Sequence, residues 1–279
     1  MNLSRRSFLS RSAGALTAAT LIPGFARAAG AKIKIGACVV GLAQAKEAGL
    51  DGVEVRAGEA ADILDIGIPE KRAVHKAAMQ QSGLPICSIM MGLLNGSPLA
   101  TDPRGPAWLE QTIDGAKDLG AKNILVAFFS KGDLLGEGNK VKEEEFATVV
   151  KRLKAAAPHA KDAGVLLAVE SMLNAEQNER LLDAVGHESV TVYYDVFNLG
   201  KSKGYDAPAE IRRLKGRISQ VHFKNGKQYL DDDKPFFEAC AAALKDIGYN
   251  GWIVLESSSP SKNAVADAKR NGDYTRSLF

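Results

Sequence analysis

The 279-residue chain has only three cysteines, Cys38, Cys87 and Cys240, and no Cys-x-x-Cys pair. An odd number at no regular spacing excludes a disulfide framework, and the missing pair excludes a thiolate zinc site. The three are expected to pack as small apolar residues. Histidine is as scarce, with four residues, His75, His159, His187 and His222. After the first 29 residues no apolar run approaches the ~20 residues needed to span a bilayer. An excess of positive charge is missing too. The whole chain carries +3, but residues 1–28 hold Arg5, Arg6, Arg11 and Arg27 and no acid, so the remainder is −1. Without a basic face, nothing argues for nucleic acid as a partner.

The four early arginines belong to an address. Ser4-Arg5-Arg6-Ser7-Phe8-Leu9 is a twin-arginine pattern, and an apolar stretch follows from Ala13 to Ile22. Pro23 and the small-residue pattern Ala26-Arg27-Ala28 complete a cleavable bacterial export signal over residues 1–29. The expected location of the mature protein, residues 30–279, is the periplasm, with no membrane contact after cleavage.

From there strands and helices alternate. Strands are expected at 33–39, 52–55, 85–90, 123–128, 165–170, 190–195, 217–222 and 251–256. Helices are expected at 42–48, 69–81, 106–119, 143–163, 175–185, 208–214 and 236–247, with an interruption foreseen at Pro158 and a short tail at the end. Pro69 and Pro106 suit first helical turns, and Gly49, Gly83 and Gly120 suit helix stops. Alternation of this kind predicts a parallel sheet. Eight units in about 250 residues give the fold class: α/β, a single (β/α)8 TIM barrel.

Four of these strands end on a group able to hold a metal. They read Val165-Leu-Leu-Ala-Val-Glu170, Val190-Thr-Val-Tyr-Tyr-Asp195, Ile218-Ser-Gln-Val-His222 and Trp252-Ile-Val-Leu-Glu256. A parallel barrel gathers the carboxyl ends of its strands on one face. Period-two alternation sets Gln220, His222 and Lys224 on one side of their strand, and Val221 and Phe223 on the other. Three carboxylates brought together in a buried place repel unless a cation joins them. Glu170, Asp195, His222 and Glu256 form an oxygen-rich set suited to Mn²⁺, with Mg²⁺, Co²⁺ or Zn²⁺ as alternatives. Lys224 is a candidate for a substrate oxygen or a phosphate, or else a solvated lysine. Glu54 points either to the barrel mouth, as a substrate contact, or to a structural pair with Arg56 or a lysine. The run Asp231-Asp232-Asp233 reads as a solvated loop, and the other histidines as surface or boundary residues.

The motifs Val169-Glu170-Ser171, Tyr194-Asp195-Val-Phe-Asn198, Val221-His222-Phe223-Lys224-Asn225 and Gly248-Tyr-Asn-Gly-Trp-Ile-Val-Leu-Glu256 resemble the xylose-isomerase-like barrel superfamily, in its sugar phosphate isomerase/epimerase branch. Gly49-Leu-Asp-Gly-Val-Glu54-Val and Ala127-Phe128-Phe129-Ser130-Lys131-Gly132 add to the resemblance, which covers the chain after the signal. It implies a divalent-metal-dependent sugar isomerase or epimerase acting on a small carbohydrate. It implies that Glu170 and Glu256, besides holding the metal, exchange protons with the sugar through an enediolate. Asn198 resembles a substrate-contact position. The same chemistry serves a lyase or dehydratase on keto-sugars or inositols, and the fold can also serve as a non-catalytic sugar-binding barrel. The related abasic-DNA endonucleases need more histidines and a basic face than this chain has. Loops 92–105 and 131–140 are candidate lids, the second expected to be mobile. The first βα unit is shorter than in relatives, which leaves its geometry and a substrate-contacting loop in question. A homo-oligomer is compatible with all of this.

Overall fold

The computed structural model describes residues 33–279, so the export signal lies outside the described residues. The strands are β1 Lys34–Ala37, β2 Gly52–Arg56, β3 Ile86–Met91, β4 Asn123–Phe128, β5 Leu166–Ser171, β6 Val190–Asp195, β7 Ile218–Phe223 and β8 Trp252–Leu255. The helices are α1 Leu42–Glu47, α2 Pro69–Ser82, α3 Gly105–Leu119, α4 Glu143–Ala163, α5 Ala175–Val185, α6 Ala207–Leu214, α7 Lys234–Asp246 and α8 Ala264–Ser277. All strands are parallel and close into one barrel in chain order, with β8 returning to β1.

Alternation along each strand creates two environments. Ile35, Val53, Ile89, Ile124, Val169, Val221 and Ile253 face the helices and join one continuous core. The other face lines the barrel interior, where Leu125, Ala127, Ala168 and Tyr193 form a small apolar cluster. Beside them the interior buries Glu54, Ser88, Glu170, Asp195, Gln220 and His222. Burial of that many polar groups demands a partner for each. Trp252 opens β8 beside the starts of β1 and β2. A Cβ added to Gly52 would stand 2.8 Å from its indole, so only glycine lets β2 pass beside it.

Helix stops follow their glycines. Gly83, Gly120, Gly164 and Gly186 all take positive φ just past α2, α3, α4 and α5, where an L side chain would be strained. Proline did not stop α4 where it was foreseen. The helix runs unbroken through Pro158, held to the barrel by buried Ala156, Ala157 and Ala160 on either side.

Two expectations need correction. The terminal segment is an eighth helix rather than a short tail. The second concerns the short first unit, which is closed rather than distorted. β1 pairs with β2 at Gly36 and Ala37 and with β8 along its full length. Helix α1 is only six residues long. The C-terminal helix packs beside it: Gly272 meets Leu50, and Arg276 donates to Gly49 O at 2.8 Å and pairs with Asp51 at 3.0 Å. The chain's end thus supplies cover that the short α1 does not reach.

The two candidate lid loops are anchored at their leucines, while residues 136–140 of the second stand exposed. Leu94, Leu99, Leu134 and Leu135 are buried. The Phe129 N–H donates to Asn95 Oδ1 at 3.1 Å, and Gly132 lies against the backbone of Leu94.

Candidate metal centre at the barrel mouth

His222 is the hub. Its ring is wholly buried, with Nδ1 toward the mouth and Nε2 toward the interior. Nδ1 lies 3.0 Å from Glu170 Oε1, 3.5 Å from Glu256 Oε2 and 3.9 Å from Asp195 Oδ2. Nε2 lies 3.1 Å from Glu54 Oε1. Tyr193 lies tilted against the imidazole, with ring centroids 4.4 Å apart and planes 55° from parallel.

The four strand-end residues therefore meet. One donor atom from each of Glu170, Asp195, His222 and Glu256 falls within a group whose members are all within 4.8 Å of one another. That spacing suits the coordination shell of one hard divalent cation. A second observation fits the same group. Asp195 Oδ1 accepts the Asn198 N–H at 2.7 Å, while the buried Oδ2 turns to the candidate ligand group, where the Lys224 ammonium meets it at 2.9 Å. The aspartate is thus oriented by one oxygen and presents the other.

Lys224 completes the charge balance. Its Nζ stands 2.6 Å from Glu256 Oε2 and 2.9 Å from Asp195 Oδ2. The lysine reaches inward to the candidate ligands rather than out to solvent.

The surroundings push these groups in different directions. Burial raises Glu170 from the usual carboxyl range to about 7, against the pull of His222. Burial likewise raises Asp195, with Lys224 and His222 opposing. For Glu256 burial is outweighed by His222 and Lys224, and its carboxyl sits below its ordinary range. For His222 burial is outweighed by Glu170, Glu54 and Glu256, which hold the ring proton well above the ordinary imidazole range. Glu170 and Glu256 thus occupy opposite protonation environments within one site.

Glu54 is not at the mouth and does not pair with Arg56. It sits one layer deeper, where its Oε2 accepts Ser88 Oγ–H at 2.7 Å and Tyr193 O–H at 3.0 Å. Gln220 Nε2 donates to Ser88 Oγ at 2.6 Å and to Tyr193 Oη at 3.0 Å. Sequence reasoning left Ser88 and Tyr193 out. Their signal was only a polar residue in each of two buried strands. The pairing register shifts beside Glu54 and beside Tyr193, and both side chains lie on the interior face. Of the two phenylalanines, Phe128 packs outward among the helices, and Phe129 rests on the interior cluster at the mouth.

The remaining candidates are engaged elsewhere. Asp231 pairs with Arg270 and Asp233 with Lys201, which leaves the acidic run as a surface loop. His159 bridges Glu110 and Asp114 on the outside.

A closed parallel barrel with three carboxylates and an imidazole gathered above its strand ends defines the class: an α/β barrel with a candidate divalent-cation centre. The chain belongs to the xylose isomerase-like TIM barrel family, whose model matches residues 42–278. No curated protein sequence matches it. Among solved structures it is similar to a D-allulose 3-epimerase from Methylomonas sp., at 19% identity and TM-score 0.72, covering 89% of this chain and 98% of that one. It is similar to an L-ribulose 3-epimerase at 24% identity and TM-score 0.70, covering 88% and 95%. A xylose isomerase-like barrel from Mycobacterium smegmatis, solved in complex with magnesium, aligns at 16% identity and TM-score 0.67, covering 89% and 96%. These likenesses establish the fold.

Proposed function

We propose that the protein is a divalent-metal-dependent sugar isomerase or epimerase. The observation that carries this reading is the convergence of Glu170, Asp195, His222 and Glu256 on one point at the barrel mouth. The printed activities of the similar structures, ketose 3-epimerases, point the same way.

A cation held by these four residues supplies Lewis acidity toward the carbonyl and hydroxyl oxygens of a sugar. The chain's own residues do the rest. Asp195 and His222 are holders, each fixed by a hydrogen bond on its other side. Glu170 and Glu256 stand three strands apart around the ring and reach a substrate between them from two sides. One takes the proton from the carbon beside the carbonyl. The electron pair left behind is delocalised as an enediolate. The other glutamate delivers a proton, to the opposite face in an epimerisation or to the neighbouring carbon in an isomerisation. Lys224, at the same mouth, would bind a substrate oxygen, and Asn198, whose N–H holds Asp195, is the proposed second substrate contact. Mn²⁺ is the proposed ion, since an oxygen-rich set with one imidazole suits it.

Incubation with Mn²⁺ and a panel of ketoses and keto-sugars in D₂O tests the reaction. The expected result is deuterium at the carbon beside the carbonyl, lost in Glu170→Gln and Glu256→Gln. No exchange with any sugar, in protein shown to hold metal, would sink the enzymatic reading. We further propose export to the periplasm through the twin-arginine route, which moves folded proteins and so permits metal loading beforehand. Arg5→Lys combined with Arg6→Lys is expected to retain the protein in the cytoplasm, as read by fractionation.

A further inference from the structure

We infer that Glu54 is the positioning residue that fixes the His222 imidazole and hands its Nδ1 to the metal. The inference rests on the four-ligand reading of the mouth and extends it to a residue that touches neither the ion nor the sugar. An imidazole can offer a lone pair from either nitrogen, and which one is free depends on where the other keeps its proton. Here the two nitrogens face different partners. Nδ1 faces Glu170, Asp195 and Glu256 at the mouth, while Nε2 faces Glu54 at 3.1 Å, with the Cys38 thiol close by and its own hydrogen turned to Leu255 O.

The bonds below Glu54 give this contact a direction. Gln220 gives its amide hydrogens to both Ser88 Oγ and Tyr193 Oη. Each hydroxyl oxygen has accepted from Gln220, so each hydroxyl hydrogen is free to point onward, and Glu54 Oε2 lies 2.7 Å from one and 3.0 Å from the other. Glu54 therefore acts as an acceptor at Oε2 and turns Oε1 to His222. An acceptor at that place holds the proton on Nε2. The lone pair of Nδ1 is left for a cation, in the carboxylate–histidine arrangement that orients metal-bound imidazoles. Glu54 is not a further ligand: its side chain is fully buried beneath the ring, and both its oxygens are already engaged. With the Gln220 amide reversed, its oxygen and Glu54 Oε2 would compete for the same two hydroxyl hydrogens, so the stated direction is the one that gives Glu54 Oε2 both donors.

The test uses full-length mature protein. Calorimetric titration with Mn²⁺ of wild type, Glu54→Gln and Glu54→Ala is expected to show affinity reduced about 10–100-fold in both variants. Circular dichroism on the same samples reports whether they are folded. Long-range ¹H–¹⁵N spectra of histidine-labelled wild type loaded with Mg²⁺ are expected to show the His222 proton on Nε2. In Glu54→Ala that signal is expected to broaden or split as the ring loses its anchor. Folded variants that bind Mn²⁺ as tightly as wild type would overturn the role of Glu54 alone. So would a loaded wild type with its proton on Nδ1, a result independent of whether the variants fold. A wild type that takes up no Mn²⁺ and no Mg²⁺ would instead overturn the four-ligand reading, and this inference with it.

Discussion

Lys224 shows how a single side chain can stabilise a site and also compete with its ligand. Its ammonium stands between Asp195 and Glu256, at the distances of strong ion pairs and largely out of solvent. Both carboxylates hold its proton well above the ordinary lysine range against the cost of burial. Removing one partner of a buried charge cluster leaves the others uncompensated, at a cost of about 3 kcal/mol. Some solvent reaches Lys224, which reduces that cost. Lys224→Met is therefore expected to lower the melting temperature of metal-free protein by several degrees. Mn²⁺ affinity measured by titration is expected to rise in the same variant, because the ion no longer displaces an ammonium. A variant with unchanged affinity would show that lysine and metal do not share the site. His222→Ala and Asp195→Ala remove holders rather than a competitor, and elemental analysis is expected to find their metal lost.

At the scale of elements, the strands were the most legible part of the chain. Each is a short apolar run between glycine or proline punctuation, and observed and expected boundaries agree within two residues. The four strand-end ligands were legible for the same reason, since a polar residue closing such a run has few places to go. The supporting layer was not. Ser88 follows a register irregularity between β2 and β3, and Tyr193, on the same face of β6 as Asp195, carries no charge to mark it in a run of apolar residues. Glu54 was visible as a buried acid, but its partners lie on β3, β6 and β7, far away in sequence. The C-terminal helix escaped because Ala264–Ser277 is polar along most of its length and carries Gly272 within it. Its anchor is Asp267, which accepts from Ser259 Oγ, Ser261 Oγ and Tyr229 Oη at 2.6–2.8 Å. Burial would raise this carboxyl, but those hydrogen bonds overcome it and hold it at about 2, below the ordinary 3.8. A depressed pKa contributes stability that is present above the unfolded value and is lost as pH falls through the folded one. Wild type is thus expected to lose this contribution between about pH 4 and pH 2. Asp267→Asn should be destabilised by about 2 kcal/mol at neutral pH. It should also show a flatter acid limb in urea titrations, and a parallel acid limb would contradict the assignment.

At the scale of the whole molecule, the candidate ligands are unevenly spread. All four come from β5 to β8, whereas the first half of the barrel contributes only the buried support of Glu54 and Ser88. A cation bound there links four consecutive strands to one point, and through His222 and Glu54 it reaches across to β2. Unfolding must separate all of these, because no donor set of this kind survives in an extended chain. Binding to the folded state alone stabilises by mass action, about 2.7 kcal/mol when free ion is at a hundred times its dissociation constant. For a chain of this size each kcal/mol moves the melting temperature by roughly 2–4 °C. Saturating Mn²⁺ is therefore expected to raise the wild-type melting point by about 5–10 °C in differential scanning calorimetry. The shift should vanish in Asp195→Ala, which removes a charged holder. It should persist in Glu256→Gln in reduced form, because the amide oxygen still offers a neutral donor at the same place. A shift of equal size in wild type and Asp195→Ala would place the stabilising ion elsewhere on the barrel. Removal of residues 264–279 separates metal from scaffold: it uncovers Leu50 and Leu255 beside β1, and it is expected to abolish cooperative melting with or without Mn²⁺.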